Sequence, residues 1–210
     1  MNEQQVLVRG LEALGLDPDP VRVAKLLDYA AELQKWNRVY NLTAIAPGED
    51  TVSRHLLDSL SVAAALTPGG ARVVDVGSGA GLPGIPLALY RPEIHFTLLD
   101  SAGKRTRFVE HIRIRLGLPN LEVAQGRAEA FSGQFDKVIC RGLGSLAEIA
   151  EMTAHLLAPS GQILAMKGDV SQQELAGVVP PVVIVRIDPL IVPGLDARRS
   201  LVIMEVTPRP

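Results

Sequence analysis

The chain has 210 residues, 47% hydrophobic and 21% charged, the balance of one folded domain or a domain with a small attachment, not of a disordered tail. Lys and Arg number 21 against 23 Asp and Glu, a formal charge of −2, which excludes a global attraction to polyanions and leaves nucleic acid only a local basic patch. The lone cysteine, Cys140, excludes an internal disulfide and a multi-cysteine zinc site. With no signal-like start and no stretch near the ~20 apolar residues of a membrane helix, the expectation is a cytoplasmic monomer without membrane or metal partners.

Residues 4 to 66 read as helical. Val6, Leu7, Leu11 and Leu14 fall at helical spacing and Gly15 supplies a stop. A second helix is predicted from Asp19 as N-cap and Pro20 as its first residue. Val21, Ala24, Leu27, Ala31 and Gln34 trace one face of it, with Val23, Leu26, Ala30 and Leu33 beside them, so a wide buried stripe is expected. A third helix is predicted from Thr51 to Leu66, broken by Pro68-Gly69-Gly70. The division is then an N-terminal helical extension, 1–68, and a core, 69–210.

After Gly70 short apolar runs alternate with helical patterns: Arg72–Val76, Ile94–Leu99, Leu121–Ala124, Phe135–Cys140 and Gln162–Met166, with a helix over Ser145–Leu157. That alternation predicts a parallel sheet covered on both faces. The last two runs, Val182–Ile187 and Leu201–Val206, are joined by a loop too short for a typical crossover helix, so they pair antiparallel.

The strongest motif is the first strand running into Asp75-Val76-Gly77-Ser78-Gly79-Ala80-Gly81-Leu82-Pro83-Gly84. Glycines there permit positive φ and let a ligand approach the backbone, at the carboxyl ends of the strands where open α/β sheets bind ligands. Two patterns overlap. Gly77-x-Gly79-x-Gly81 behind Asp75 is the form expected for S-adenosylmethionine, with Asp75 facing the methionine ammonium. Gly79-x-Gly81-x-x-Gly84 satisfies a dinucleotide fingerprint and would suit an NAD(P)-dependent oxidoreductase. Register favours the first, since residues 77 and 78 intervene between the strand end and Gly79, and a reversed last strand marks the class I methyltransferase sheet. Asp100, ending the second strand, suits both ribose hydroxyls or caps the helix from Ser101. Gly126-Arg127-Ala128-Glu129, after the third strand, is the usual place for adenine contacts.

The fourth strand delivers Cys140-Arg141-Gly142 beside the acceptor. The Asn/Asp-Pro-Pro-aromatic motif of amino-group methylases is absent there, and Cys140 inside an apolar strand reads as a small buried hydrophobe, not a nucleophile. What remains is an acceptor that needs no base, or an adenosyl-ligand sensor without catalysis.

These residues resemble the small-subunit ribosomal RNA guanine-N7 methyltransferases, the RsmG or GidB family. The resemblance covers nearly the whole chain. It rests on Trp36-Asn37 with Tyr40 to Ile45, on Arg54-His55-Leu56-Leu57-Asp58-Ser59-Leu60, on Asp75 to Pro86, on Leu99-Asp100-Ser101 with Gly103-Lys104-Arg105, on Arg141 ahead of Ser145-Leu146, on Lys167-Gly168 and on Leu195-Asp196 with Arg199. It implies methyl transfer from S-adenosylmethionine to N7 of a guanine in 16S rRNA, free or in the small subunit, with the cofactor against Gly77, Leu82, Ala128-Glu129 and Arg141. The chain departs from the family pattern at Gly142-Leu143-Gly144, where members follow the arginine with small and aromatic residues.

Arg141 is then the expected catalytic group, positioning the acceptor through its planar fork. The expected RNA contacts are Lys104, Arg105, Lys167 and Arg199, with Arg107, Arg113 and Arg115 on the same helix as the first two, Lys35 and Arg38 flanking Trp36, and Arg198 beside Arg199. His55 and Asp58, one turn apart, read as a hydrogen bond holding the N-terminal helices to the core. Asn41 is open between a ligand contact and a turn cap.

Overall fold

The computed structural model describes residues 2–42, 51–66 and 71–207. The breaker Pro68-Gly69-Gly70, with the 68/69 boundary, and the motif residues Thr43-Ala44-Ile45 lie outside them.

Helix α1, Glu3–Ala13, opens on a capping box between Asn2 and Gln5. Helix α2, Pro20–Tyr40, starts where predicted, with the Asp19 carboxylate accepting from the Arg22 N–H. Its buried stripe is narrower than expected. Val23, Leu26, Tyr29, Ala30 and Leu33 face the core, whereas Val21, Ala24 and Ala31 are exposed, because only one side of α2 is covered. Tyr29 is buried and donates its hydroxyl proton to the Ala80 carbonyl (2.8 Å), which ties α2 to the glycine loop. Asn41, left-handed at φ 48°, is the C-cap of α2.

The third predicted helix is not one α-helix. Val52–Leu57 forms a π-helical stretch, Asp58–Leu60 (α3) returns to α geometry, and Ala63–Ala65 tightens to a 3₁₀ turn. Wide turns of this kind are frequent at functional sites, and this one carries Arg54, His55 and Asp58 to the wall of a cleft. Hydrophobic spacing alone does not distinguish the two helix types.

The core is a seven-stranded sheet in the order β3-β2-β1-β4-β5-β7-β6. Its strands are β1 Arg72–Val76, β2 His95–Asp100, β3 Leu121–Gln125, β4 Phe135–Arg141, β5 Leu157–Lys167, β6 Val182–Pro189 and β7 Ser200–Val206. The first five pair parallel, and β7 runs antiparallel to both β5 and β6. Strand β5 begins five residues before the predicted Gln162, across Pro159 and Gly161, which mask a strand in sequence. Side chains alternate between two apolar layers. Val73 and Ile139 join α4 (Gly84–Tyr90), α5 (Gly103–Leu116) and the N-terminal helices on one face. Val74, Val138 and Cys140 join α6 (Leu146–Thr153) on the other. Because Leu7, Leu26 and Leu57 share a buried cluster with Ile85, Phe96 and Phe108, the extension and the core pack as one apolar unit. A short helix the hydrophobic pattern does not show, α7 (Gln172–Ala176), is signalled only by its Ser171-x-x-Glu174 cap.

Candidate active site

Strand β1 ends at the centre of the sheet, where β2 and β4 flank it, and the glycine loop fills the space above. The N–H groups of Gly77 and Ser78 donate to the Leu99 carbonyl (2.9 and 3.1 Å), so the loop hangs from the end of β2. Gly77 has φ +68°, a conformation L side chains rarely adopt, and a Cβ there would stand 2.7 Å from Leu143 Cδ1. At Gly79, φ +58°, a Cβ would meet nothing nearer than 3.9 Å, so that backbone lies open to the cleft it lines.

Two connected hollows run along the carboxyl ends of β1 to β4. The larger, about 580 Å³, is bounded by Gly77–Ala80, Leu82, Arg141, Gly142, Met166 and, from the N-terminal helices, Leu42, Arg54, His55 and Asp58. The smaller, about 230 Å³, lies over Asp100, Ser101, Gly126–Glu129, Leu143 and Met152. Gly77, Arg105 and Gly142 border both. Of the residues expected at a cofactor, Gly77, Gly79, Leu82, Asp100, Ala128, Glu129 and Arg141 line these hollows.

Asp75 and Gly81 do not line them, which corrects the expectation. Gly81 is buried against Ile85 and closes the turn, its N–H donating to the Ser78 carbonyl (2.8 Å). Asp75 is fully buried and accepts the Gly84 N–H at 2.9 Å, bracing the start of α4 from behind the loop. Burial pushes its carboxyl up to about 7, against the Gly84 hydrogen bond and the Arg141 charge, which lower it.

That shift makes stability depend on pH. The folded-state pKa lies above the unfolded value, so the penalty for ionising Asp75 is absent below about pH 4 and complete above about pH 7. Asp75→Asn is therefore expected to match wild type near pH 4 and to gain on the order of 10 °C in Tm by pH 8, at about 2–4 °C per kcal/mol for a chain of this size. His55 runs the other way. Burial, then Arg141, hold it down to about 4, so its contribution is full above pH 6.5 and is lost as pH falls toward 4. Thermal melts across pH 4–8 test the pair, and a Tm difference that does not change with pH would refute the assignment to Asp75.

Of the two roles open to it in sequence, Asp100 shows the one at the start of α5 and also holds the glycine loop. One oxygen accepts the Gly79 N–H (2.9 Å) and the other the Ala102 N–H (2.8 Å) at the start of α5, while Arg105 Nη1 lies 3.4 Å away. The dinucleotide register fits poorly, since Gly81, the glycine that would have to face a pyrophosphate, is buried against Ile85 off the cleft.

The cleft wall is basic although the chain is not. Arg54, Arg105, Arg141, Lys167 and Arg199 border the larger hollow, with Asp58 as its one carboxylate among the described residues. Asp58 ties the N-terminal segment to the core through partners the sequence does not reveal: its Oδ2 accepts from Arg141 Nη1 (2.8 Å) and its Oδ1 from Arg199 Nε (3.0 Å). Lys167 donates to the Gly144 carbonyl (2.8 Å) and pairs with Glu174 (2.7 Å). The basic run on α5 divides. Arg113 pairs with Glu110 and Arg115 with Asp28, Lys104 caps the Tyr40 carbonyl, and Arg107 points to solvent with no ion partner among the described residues.

Cys140 is fully buried on the sheet face away from α4 and α5, and burial drives its thiol far up. Cys140→Ala is expected to leave turnover within about twofold of wild type while costing about 1 kcal/mol of stability. Steady-state kinetics with a denaturant titration check it, and loss of turnover with the fold retained would restore a nucleophilic role. Among the described residues no group of three or more His, Cys, Asp or Glu is placed to hold a metal ion, and no helix is long and apolar enough to cross a membrane.

The sequence model of the family described as rRNA small subunit methyltransferase G matches residues 22–202. The ribosomal RNA small subunit methyltransferase G of Chromobacterium violaceum is 46% identical over 200 residues, 94% of this chain and 95% of that one. The chain belongs to this family. The Pseudomonas aeruginosa member of the family is 43% identical over 203 residues, covering 96% of this chain and 94% of its own. Solved structures share the fold at low identity. TrmN from Thermus thermophilus matches at a TM-score of 0.58 and 16% identity, over 74% of this chain and about half, 53%, of its own length. A SAM-dependent methyltransferase from Thiobacillus denitrificans, in complex with S-adenosyl-L-homocysteine, matches at 0.50 and 19% identity over 79% and 73%. The class I methyltransferase sheet expected from the strand pattern is thus borne out, and the family's Arg54–Leu60 motif is the π-helical stretch and α3 that carry Asp58 to the arginines.

Proposed function

We propose that this member of the family transfers the methyl group of S-adenosylmethionine to N7 of a guanine in 16S ribosomal RNA, in the cytoplasm and as a monomer. The observation that carries the reading is the two-lobed, basic-walled hollow over the Gly77–Leu82 loop in a chain of net charge −2. The residues present fit the cofactor. Gly79 and Gly142 expose backbone with no room taken by side chains, Asp100 brings a carboxylate to the smaller lobe for ribose hydroxyls, Ala128 and Glu129 border the place for an adenine, and the arginines offer partners to a carboxylate. Leu143, lying on Gly77, supplies an apolar contact where family members carry an aromatic ring.

When bound, the cofactor supplies a methyl group activated by a sulfonium. The protein's part is alignment. Guanine N7 has an in-plane lone pair and no proton, so no general base is needed, and two carboxylates of the cleft are held by the protein itself: Asp58 by two arginines and Asp100 by the loop and α5. The positive charge moves from sulfur to purine without changing in amount, so holding the partners in line and excluding water carry the catalysis. Arg141, fixed by Asp58, orients the acceptor through guanine O6 or an adjoining phosphate and leaves N7 free. Lys167, Arg199 and, at the other lip, Lys104 and Arg105 meet the RNA backbone.

The test is incubation with methyl-labelled cofactor and small-subunit RNA, free and as assembled subunits lacking the modification, with chemical mapping of the product. Label at N7 of a single guanine is expected. Label on another atom, or on no RNA, overturns the reading.

A further inference from the structure

We propose that the outer edge of the seam between α2 and α5 is a docking surface for an unstacked, single-stranded stretch of RNA that leaves the cleft beside the target nucleotide. The inference rests on the reading above that the substrate is RNA. The two helices lie antiparallel and are stitched along their length: Arg115 forks onto Asp28 (2.7 and 2.8 Å), His111 meets Glu32 (3.0 Å), the Trp36 ring lies 5.3 Å from both His111 and Phe108, and Lys104 donates to the Tyr40 carbonyl (2.9 Å).

The chemistry of the seam changes along it. At the far end the acids of α2 are partnered, Asp28 by Arg115 and Glu32 by Lys35 and the His111 ring. At the end nearest the cleft no acid is interposed among the described residues, and an aromatic pair is flanked by cations. Tyr40 is 45% exposed beside Trp36, with ring centroids 5.3 Å apart, and Val39, 70% exposed, extends the apolar floor. Lys104 and Arg107 stand exposed on the α5 side. Exposed aromatic faces framed by Lys and Arg are the recurring platform for splayed bases and their phosphates. The platform is continuous with the cleft, because Leu42, two residues past Tyr40, and Arg105, next to Lys104, both line it.

The test measures KM for the small-subunit RNA substrate, kcat, cofactor Kd and the salt dependence of RNA binding, in the full-length protein. Tyr40→Ala is expected to raise the RNA KM about tenfold, the loss of roughly one stacked base, with kcat and cofactor Kd near wild type and recovery in Tyr40→Phe. Arg107→Ala is expected to lower the salt slope by about one. Arg186→Ala, which removes an equal charge from the β6 edge of the sheet, is expected to change none of these. Wild-type KM and salt slope in both Tyr40→Ala and Arg107→Ala would overturn the surface while leaving the methyltransfer reading intact. A wild-type enzyme that labels no small-subunit RNA would overturn that reading and the surface with it.

Discussion

Gly77→Val is expected to weaken S-adenosylmethionine binding by ~100-fold or more while the protein still folds. Three features of the position combine to give so large an effect. Gly77 borders both lobes of the hollow, so displacement of its backbone is felt by every part of a ligand that spans them. Its φ of +68° is disfavoured for any residue with a Cβ and most for a β-branched one, at about 1–2 kcal/mol. The new Cβ would also stand 2.7 Å from Leu143 Cδ1. Leu143 is a flexible tip and can yield, but the smaller lobe lies alongside it. The β1 strand behind the loop is paired on both sides, by β2 and β4, and so holds the fold. Calorimetric titration with the cofactor, beside circular dichroism and a thermal melt, separates binding from folding. Gly77→Ala should fall between wild type and Gly77→Val. A Kd unchanged in Gly77→Val would remove the loop from the cofactor site.

What the sequence shows and what it conceals divide along a physical line. Contacts local in the chain are legible. The run Arg72–Val76 is bounded as a strand because β-branched residues stop at a glycine, and α2 begins at Pro20 because the Asp19 carboxylate can cap only N–H groups on its C-terminal side. The reversed final strand is legible too, since the loop between the last two apolar runs is too short for a crossover. Pairings across long stretches of chain are not. Asp58 meets Arg141 83 residues later and Arg199 141 residues later, and no local spacing encodes either. Asp75 shows the opposite error. Its place at a strand end suggests a ligand contact, but whether a carboxylate there faces the cleft or the α4 N–H groups depends on how the loop folds over it, and it faces Gly84. The run Lys104 to Arg115 reads as one basic face. Acids from α2, 87 residues from Arg115 and 79 from His111, partition it into a partnered end and an open one.

Those long-range partners make Asp58→Ala the second large effect, with kcat/KM expected to fall ~100-fold or more. The Asp58 side chain is 5% exposed, and its two arginines are 19% and 27% exposed. Each oxygen takes one guanidinium, so the carboxylate both balances their charge and fixes the angle between them. Without it two like charges face each other at the cleft wall, and Arg141 loses the contact that aims it. Breaking a fully buried pair costs about 3–5 kcal/mol. The partial exposure of both arginines reduces the expected loss here to about 2 kcal/mol, because solvent screens them. Asp58→Asn keeps a side chain of the same shape and removes the charge, so it should retain more stability than activity. Asp58 acts on the reaction only through Arg141 and Arg199, and a double-mutant cycle reads that dependence. Once Arg141→Ala is present, Asp58→Ala should cost much less in kcat/KM than it does alone, a coupling of about 1–3 kcal/mol. Losses that simply add, or an Asp58→Ala enzyme with wild-type kcat/KM, would show that the arginines find their positions without the carboxylate.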